Sequence, residues 1–340
     1  MRMRKVGNTD LMVSEICLGT GSFGGVGMYR MSGNIQQEEA NEIVSAALDS
    51  GINFFDTAEI YSDGVAEEIL GKALEPRRKE AVIVTKVAPK RPDGNGGGGY
   101  TYDHIIKVCE GCLERLRTDY IDIFELHIFD PIVPLEEALR ALDDLVRQGK
   151  VRHIGCSNFS GWQMMKGLAI SDAKNYVRFS TLEAKYSLAL RELENELIPC
   201  AVDQNVSIFA YSPLNGGFLS GKYERDKPWP EGARFPSKEA AGPWAMDYDL
   251  LYDMVDAMKK IAEEREHSVS DVALNYLLQK PAITSLIIGV RNIDQLKANL
   301  TASDWDLTAD EVAILDRVSR VPVLYPYMDQ KMGFIVSKKE

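Results

Sequence analysis

The feature that most constrains the fold of this chain is a regular alternation of short apolar segments with longer amphipathic ones. The apolar segments are rich in β-branched and aromatic residues, which favour strands. Strands that are apolar on both faces are typical of parallel sheets covered by helices. An open doubly wound sheet and a closed barrel share this alternation, and the count of eight strand segments favours the barrel. The segments are EICLG, NFFDT, AVIVTK, YIDIFELH, VRHIGCS, FSTLEA, SIFAYS and SLIIGV.

Other elements are predicted between and around these strands. Helical patterns between them include QEEANEIVSAALDS, YDHIIKVCEGCLERL, LEEALRALDDLVRQG and RELENELIPCAVDQ. Before the first strand, MRMRKVGNTDLMVSEI predicts a hairpin, and after the eighth, LTADEVAILDRVS predicts an extra helix. We therefore predict an α/β fold, a single (β/α)8 TIM-type barrel with an N-terminal hairpin and an extra C-terminal helix. One domain is expected over residues 1–340, with a tail over about 319–340.

The charge balance restricts the partners of the chain. There are 51 acidic and 39 basic residues, a net charge of −12, which argues against nucleic acid or an anionic membrane as a partner. An anionic ligand would need a local cluster of basic groups. We expect a soluble, cytoplasmic protein, because the N-terminus lacks the apolar core of a signal peptide and no run reaches transmembrane length. The oligomeric state is left open.

The cysteines and two long loops allow more than one interpretation. Five scattered cysteines are expected to be reduced thiols, and packing is favoured over a zinc or redox role for Cys109 and Cys112. The loop RPDGNGGGGYT, after the third strand, is either a mobile connector or a substrate-side loop. The loop from Lys222 to about Asp249 contains Trp229 and Trp244, and its length is typical of a lid or a binding segment.

A glycine motif after the first strand resembles a dinucleotide-binding fingerprint. Gly19, Gly21 and Gly24 spell G-x-G-x-x-G, but the next helix is predicted to begin only near Gln36. In a Rossmann unit the helix begins within the motif and offers its N-terminus to a pyrophosphate. We interpret the motif as a loop at the barrel mouth, and predict ligand contacts from Thr20, Gly21 and Ser22.

Four polar residues stand at the ends of three consecutive strands. Asp56 ends the second strand, with Tyr61 five residues later, while Lys86 ends the third strand and His127 the fourth. In a barrel these strand ends are neighbours, so the four side chains are predicted to converge. Each would be costly to bury without partners.

This combination suits carbonyl reduction, which needs a proton donor to the oxygen while hydride reaches the carbon. A tyrosine with a pKa of about 10 is a poor acid at neutral pH, and a lysine cation nearby is expected to lower that pKa. Asp56 would hold Lys86 in its charged form. His127 would donate a hydrogen bond to the carbonyl oxygen. The sequence thus predicts Tyr61, His127, Lys86 and Asp56 as catalytic residues.

Several long segments resemble signature segments of the aldo-keto reductase superfamily, over residues 1 to about 318. They are GINFFDTAEIYSDGVAEEILGKAL, VIVTK, DYIDIFELHIFDP, GCSNFS, AYSPLNGGFLSGKY and IIGVRNIDQLKANL. The resemblance implies an (α/β)8 barrel that reduces aldehydes, ketones or sugars with NADP(H), less often NAD(H), and without a metal. It implies that Tyr61 is the acid/base and that Asp56, Lys86 and His127 support it.

The resemblance also implies cofactor contacts. Ser157 and Asn158 match residues that bind the nicotinamide carboxamide, and Tyr211 matches the residue that stacks on the ring. The pyrophosphate loop is matched by Ser212, Pro213, Leu214, Gly216, Gly221 and Lys222. The adenosine and 2′-phosphate segment is matched by Gly289, Val290, Arg291, Gln295 and Asn299, with Arg291 as the phosphate fork and Arg234 as a clamp over the adenine.

One residue departs from the resemblance. Glu183, in TLEAKYSL, stands where relatives usually carry a glutamine facing the nicotinamide. An ionised Glu183 would favour the oxidised, cationic ring. Alternatively, Glu183 pairs with a cation such as Lys185, or is protonated because desolvation raises a carboxyl pKa.

Other functions and the substrate remain open at this stage. A barrel that holds NADP(H) as a sensor for a protein partner is the main alternative, and an intact proton relay argues against it. A Schiff-base lyase using Lys86 is less favoured because of the cofactor-like segments. A metal-dependent hydrolase is less favoured because four scattered histidines supply no H-x-H pair at the first strand. Candidates for the substrate pocket, each with packing as its alternative role, are Phe23, Tyr29, Ile128, Phe129, Tyr325, Tyr327 and Met328.

Overall fold

The structure, a computed structural model, is built around a closed barrel of eight parallel strands. It describes residues 1–89, 99–231, 233–235, 237–241 and 247–329. The barrel strands follow the order β3 to β10 around the ring, with β10 pairing back to β3. They are β3 (Ile16–Gly19), β4 (Phe54–Asp56), β5 (Val82–Val87), β6 (Ile121–Leu126), β7 (Val151–Ser157), β8 (Phe179–Lys185), β9 (Ser207–Tyr211) and β10 (Ile283–Gly289). The predicted barrel is confirmed.

Helices surround the barrel, and the longer ones bury one face against it. In α4, for example, Leu135, Ala138, Leu139, Leu142 and Leu145 recur at helical spacing and are all buried. The helices are α1 (Gln37–Asp49), α2 (Val65–Leu74), α3 (Tyr102–Leu116), α4 (Leu135–Arg147), α5 (Gly161–Lys174), α6 (Leu197–Gln204), α7 (Lys238–Ala241), α8 (Tyr248–Arg265), α9 (Val269–Leu278), α10 (Ile293–Leu300), α11 (Ala309–Val318) and α12 (Tyr327–Asp329). The predicted extra C-terminal helix is α11, and α1 follows the barrel-mouth loop as expected.

One helix is shorter than its sequence pattern predicts. RELENELIPCAVDQ forms a 3-10 turn over Glu192–Glu194 and then α6 over Leu197–Gln204. Pro199 explains the late start, because proline lacks a backbone N–H and is tolerated only in the first turn of a helix. A helix beginning at Arg191 would have placed Pro199 in its interior.

The predicted N-terminal hairpin covers the amino end of the barrel. Its strands are β1 (Met3–Lys5) and β2 (Met12–Ser14), which pair antiparallel. Val6 and Val13 pack with Phe54, Ile123 and the other apolar residues inside the barrel. The hairpin therefore closes the barrel at the end opposite to the predicted site.

The loops and thiols complete the fold. Trp229, in the long loop after β9, packs its ring against Phe218 and Tyr223. Trp244 and most of the glycine-rich loop lie outside the described residues. Cys109 and Cys112 are buried in the core on α3, as packing residues are. Within the described residues, no helix combines the length and apolar character needed to cross a membrane.

Candidate active site

The inward faces of the strands change from apolar to charged toward their carboxyl ends. Side chains along a strand alternate between two faces, so residues two apart share one. In β5, Val84 belongs to the apolar interior and Lys86 is the next inward residue. In β4, Phe54 is followed in the same way by Asp56, and in β6 Ile123 precedes Glu125. Buried ionisable groups thus lie directly above an apolar core.

Lys86 is at the centre of this charged layer. Its Nζ donates hydrogen bonds to Asp56 Oδ1 and, at 2.9 Å, to the Thr57 carbonyl oxygen. The same Nζ lies 3.1 Å from Glu183 Oε2. Burial lowers the pKa of the lysine, but Asp56 and then Glu183 raise it, and the pKa ends well above its ordinary value. Lys86 is therefore a permanent cation, held by Asp56 as the sequence predicted.

Tyr61 and His127 complete the predicted group. Tyr61 begins a 3-10 turn after β4, and its ring centroid lies 5.2 Å from Lys86 Nζ and 6.0 Å from that of His127. His127 follows β6, where its backbone N–H bonds the Val87 carbonyl oxygen. The four side chains converge, as predicted from their places at neighbouring strand ends.

The net pKa of Tyr61 is raised, whereas a lowering by Lys86 was expected. Burial raises this pKa well above its ordinary value, and the charge of Asp56 raises it further. Lys86 acts in the lowering direction but does not outweigh them. Tyr29, whose ring centroid lies 4.7 Å from that of Tyr61, contributes to the enclosure. Tyr61 is therefore a protonated phenol, the form that can donate a proton.

His127 is uncharged in this environment. Burial, assisted by the Lys86 cation, lowers its pKa to about 3. Its Nδ1 is buried and has no hydrogen-bond partner among the described residues. A neutral imidazole carries one N–H, which it can offer to a ligand oxygen in the cavity.

Glu183 pairs with Lys86 rather than with Lys185. Glu183 lies on β8, lines the cavity and is only 3 % exposed. Burial raises the Glu183 pKa well above its ordinary value, followed by the charges of Asp56 and Glu125, which exceed the opposing effect of Lys86. The protonated form is thus favoured over the ionised form, in agreement with the alternative that desolvation raises this pKa.

Glu125 is a fourth buried ionisable group, which sequence reasoning missed. Thr181 Oγ1 donates a 2.6 Å hydrogen bond to Glu125 Oε1 across β7. A Cβ at Gly155 would lie 1.9 Å from Thr181 Oγ1 and 2.7 Å from Glu125 Oε1, so only glycine permits this bond. Burial raises the pKa of Glu125 to about 7. Its inward position in β6, two residues after Ile123, was the available signal.

A cavity of about 680 Å³ opens at the carboxyl ends of the strands, and most predicted site residues line it. This volume is in the range of small-molecule and cofactor sites. The predicted residues in its wall are Gly21, Ser22, Asp56, Tyr61, His127, Asn158, Glu183, Tyr211, Ser212, Pro213, Leu214, Gly216, Lys222, Arg234, Gly289, Val290, Arg291, Gln295 and Asn299.

Four predicted residues are outside the wall formed by the described residues. Thr20, Lys86 and Ser157 are fully buried, and Ser157 Oγ instead accepts a 3.0 Å hydrogen bond from Asn158 Nδ2. A Cβ at Gly221 would face Val269, not the cavity. These residues stand behind or beside the wall, and the ligand contacts expected of Thr20, Ser157 and Gly221 stay predictions.

Asn158 and Tyr211 form a polar group next to the charged layer. The Tyr211 hydroxyl donates a 2.8 Å hydrogen bond to Asn158 Oδ1, and Asn158 Nδ2 donates to the His127 carbonyl oxygen at 3.0 Å. The Asn158 backbone N–H bonds the Glu183 carbonyl oxygen. Three strands and the loop after β6 are thereby fixed around one part of the cavity.

Three cations also converge on the cavity. Burial, and then the charge of Arg291, lowers the pKa of both Lys222 and Arg234, which shows that the cations repel each other. Gly217, with φ +95°, makes room for Lys222, since a Cβ there would lie 3.1 Å from Nζ. A chain of net charge −12 thus collects positive charge at one place, which favours an anionic ligand.

The wall has openings where a ligand can approach the backbone. A Cβ at Gly21 or at Gly289 would meet no atom within 4 Å. Further wall residues were missed by sequence reasoning, among them Ser270, in the first turn of α9 after its Ser268 cap. The S-x-x-D capping pattern was the available signal. Of the seven substrate-pocket candidates, Tyr29 lines the cavity, while Phe23 is buried in the core.

Comparisons with known proteins agree with this geometry. The model of the Aldo/keto reductase family matches residues 15–320. An uncharacterized oxidoreductase of Bacillus subtilis, YrpG, is 33% identical over 332 residues, covering 94% of this chain and 96% of the relative. The versiconal hemiacetal acetate reductase of Aspergillus parasiticus is 27% identical over 350 residues, covering 96% and 99%.

Two further comparisons concern a channel subunit and a solved structure. A probable voltage-gated potassium channel subunit beta of Arabidopsis thaliana is 29% identical over 328 residues, covering 94% of this chain and 96% of the relative. The crystal structure of a thermostable aldo-keto reductase with the inhibitor epalrestat superposes with a TM-score of 0.75, at 26% identity, covering 94% of this chain and 100% of the other. With its barrel, its site residues and a family match over nearly its whole length, the chain belongs to the aldo/keto reductase family.

Proposed function

We propose that this chain reduces the carbonyl group of an aldehyde, ketone or sugar to an alcohol with NADP(H), in a reversible reaction. Family membership makes it an oxidoreductase. The observation that carries the finer proposal is that one cavity combines Tyr61 and His127 with the three cations Lys222, Arg234 and Arg291. The first set suits proton transfer to a carbonyl oxygen, and the second suits phosphate groups.

The cavity wall fits a dinucleotide phosphate. Its cations match a polyanion, and the open backbone at Gly21 and Gly289 leaves room for one. Arg291 is the proposed partner of the 2′-phosphate, because a guanidinium binds phosphate through two parallel hydrogen bonds. By its resemblance to the family, Gln295 occupies a position that often carries a second arginine. Because glutamine supplies no charge for the 2′-phosphate, we expect some use of NADH as well.

In the proposed mechanism the protein moves one proton and holds one oxygen. A nicotinamide cofactor supplies the hydride when it is bound. Tyr61 donates its hydroxyl proton to the carbonyl oxygen, and the neutral His127 donates an N–H hydrogen bond to the same oxygen. Lys86, held by Asp56, favours the phenolate that Tyr61 becomes. General acid catalysis of this kind contributes roughly 10²–10⁴-fold.

The test is oxidation of NADPH in the presence of aldehydes, keto-sugars, quinones and keto-steroids, with NADH in parallel. We expect turnover with at least one carbonyl class, and tighter binding of NADPH than of NADH. The proposal would be overturned if neither NADPH nor NADH bound, or if NADPH bound and no carbonyl of any class were reduced.

A sensor function is the second candidate, because probable potassium channel beta subunits of Arabidopsis and of rice are 29% and 28% identical to the chain. A sensor would bind NADPH tightly, and a protein partner would respond to it without turnover of any carbonyl. We favour the reductase because Tyr61, His127 and Lys86 converge as a proton relay requires.

For its location we propose the cytoplasm, since Cys17, Cys109, Cys112, Cys156 and Cys200 are all free thiols.

A further inference from the structure

The charged layer contains more carboxyl groups than its single cation can neutralise. Lys86 Nζ contacts Asp56 Oδ1 and lies 3.1 Å from Glu183 Oε2, so one ammonium is placed between two carboxyl groups. Glu183 Oε2 is buried and makes no hydrogen bond of normal geometry among the described residues. Glu125, one strand beyond Lys86, adds a third carboxyl group to the same layer.

Several elements around Glu183 contribute to its electrostatics. The ionisable groups that interact with it are Cys17 on β3, Asp56 on β4, Lys86 on β5, Glu125 on β6, Tyr211 on β9, and Tyr29 and Tyr61 in the loops. Lys86 is the cation in this set. Asp56 accepts the hydrogen bond of Lys86 Nζ and makes the closer contact with it, whereas burial and then the charge of Asp56 raise the pKa of Glu183. The negative charge therefore resides on Asp56 and the proton on Glu183.

We propose that Glu183 links the redox state of the cofactor to proton release: the oxidised, cationic nicotinamide binds with loss of the Glu183 proton, and the reduced, neutral nicotinamide binds without it. This inference rests on the proposed function, since it requires a nicotinamide in the cavity that Glu183 lines together with Asn158 and Tyr211. Glu183 acts through charge and position and is a specificity-determining residue, not a proton donor to the substrate.

The direction follows from the charge count. Without a ligand, one ammonium stabilises one carboxylate, and a second carboxylate in the same buried layer is unfavourable. A cationic ring supplies a second positive charge, which makes the ionised form of Glu183 favourable, and its proton passes to solvent. A neutral ring leaves the charge count unchanged. A glutamine at this position could not respond in this way, because an amide does not titrate.

The experiment is calorimetric binding of NADP⁺ and of NADPH near pH 7, each in two buffers of different ionisation enthalpy. Both cofactors carry the same phosphates, so proton exchange at the phosphates cancels in the comparison. We expect the wild type to release more protons with NADP⁺ than with NADPH, by up to about one per site. In Glu183→Gln the two cofactors should release equal numbers.

Glu125→Gln is the matched control, because Glu125 is also buried in this layer but bonds to Thr181 and does not line the cavity. The difference between the cofactors should survive in this variant. Its loss in Glu125→Gln and survival in Glu183→Gln would assign the proton to Glu125 and overturn the inference. Equal proton release in the wild type would also overturn it. If neither cofactor binds the wild type, the proposed function itself fails.

A second measurement needs only the wild type. While Glu183 is protonated in the free protein, the Kd of NADP⁺ should fall with rising pH, by up to about tenfold per pH unit, and the Kd of NADPH should not follow it. Parallel pH profiles for the two cofactors would contradict the inference even if Glu183→Gln did not fold.

Discussion

The two ends of the barrel are built from the same strands and differ completely in chemistry. At the amino end, the hairpin residues Val6 and Val13 pack on Phe54 and Ile123. Two residues further along those strands are Asp56 and Glu125, in the charged layer around Lys86. A strand can therefore contribute to stability at one position and to chemistry at the next inward position, which is the division expected in barrel enzymes.

The charged groups at the carboxyl end of the barrel are buried away from water. Asp56 and Lys86 are each less than 5 % exposed, so neither charge is tolerable without the other. The amino end has no comparable requirement, because its interior residues need only be apolar and of suitable volume. Substitutions at the two ends should consequently separate catalysis from stability.

The largest expected effect is at the charged end. Tyr61→Phe removes the proposed proton donor and leaves the ring in place, so turnover with an aldehyde and NADPH should fall roughly 10²-fold or more. Stopped-flow or steady-state measurement of NADPH oxidation gives the turnover rate. The affinity for NADPH should stay close to that of the wild type. Near-normal turnover would refute the role of Tyr61.

Ile123→Ala tests the other end. Ile123 is fully buried in the apolar interior, two residues before Glu125. Its truncation should lower the free energy of unfolding by about 2–5 kcal/mol. Turnover per folded molecule should change little, since the cavity is formed at the opposite end. Denaturant unfolding and kinetics at low temperature measure the two quantities, and a loss of turnover as large as that of Tyr61→Phe would break the comparison.

Arg291→Ala sharpens the comparison within the carboxyl end, between the proton relay and the cationic part of the cavity. Loss of a charged hydrogen bond costs about 1.5–3 kcal/mol, which corresponds to roughly tenfold to over a hundredfold weaker binding of NADPH. NADH lacks the 2′-phosphate and should be affected little. Lys297→Ala removes an exposed cation of α10 outside the cavity wall and serves as the control. Equal weakening of both cofactors by Arg291→Ala would exclude the 2′-phosphate contact.

Much of this site was predictable because parallel strands end on one side of a barrel. That rule alone places Asp56, Lys86 and His127 together, and the structure has them so. The pairing of Glu183 with Lys86 was not predictable, because it crosses the barrel from β8 to β5 and depends on strand tilt and register. Sequence proximity suggested Lys185 instead.

The pKa of Tyr61 shows a second limit. The direction of its shift depends on how deeply the Tyr61 ring is buried. Tyr29 takes part in that burial, and it lies in a segment without strong sequence signals. The charge of Lys86 can be inferred from sequence, but burial decides the result. The length of α6 is a contrasting case, because it could have been predicted from the sequence. Pro199 excludes a helix that begins several residues before it.

The smallest expected effect compares two histidines at the two ends. His127 has a pKa lowered to about 3 by burial and Lys86. His153, on β7, is half-buried, with Nε2 3.9 Å from Asp10 Oδ1 of the hairpin loop, and burial lowers its pKa while Asp10 opposes the shift. Both folded-state pKa values lie below the unfolded value of about 6.5. The unfolded chain therefore binds the extra proton, and stability falls as pH drops below about 6.5.

For His127 this loss should approach about 1.4 kcal/mol per pH unit between roughly pH 6 and 4, and for His153 it should be smaller because Asp10 partly restores the charged form. His127→Asn keeps a hydrogen-bond donor but cannot titrate, so its unfolding free energy should decline less with acid than that of the wild type. His153→Asn should differ less from the wild type.

The same low pKa means that His127 stays neutral above pH 5, so the pH profile of turnover should show no step near pH 6.5. Denaturant unfolding at several acidic pH values, with a turnover profile at neutral pH, checks both statements. An acid dependence of His127→Asn identical to that of the wild type would show that folding does not lower the pKa of His127, and the assignment of a neutral imidazole below pH 6.5 would fail.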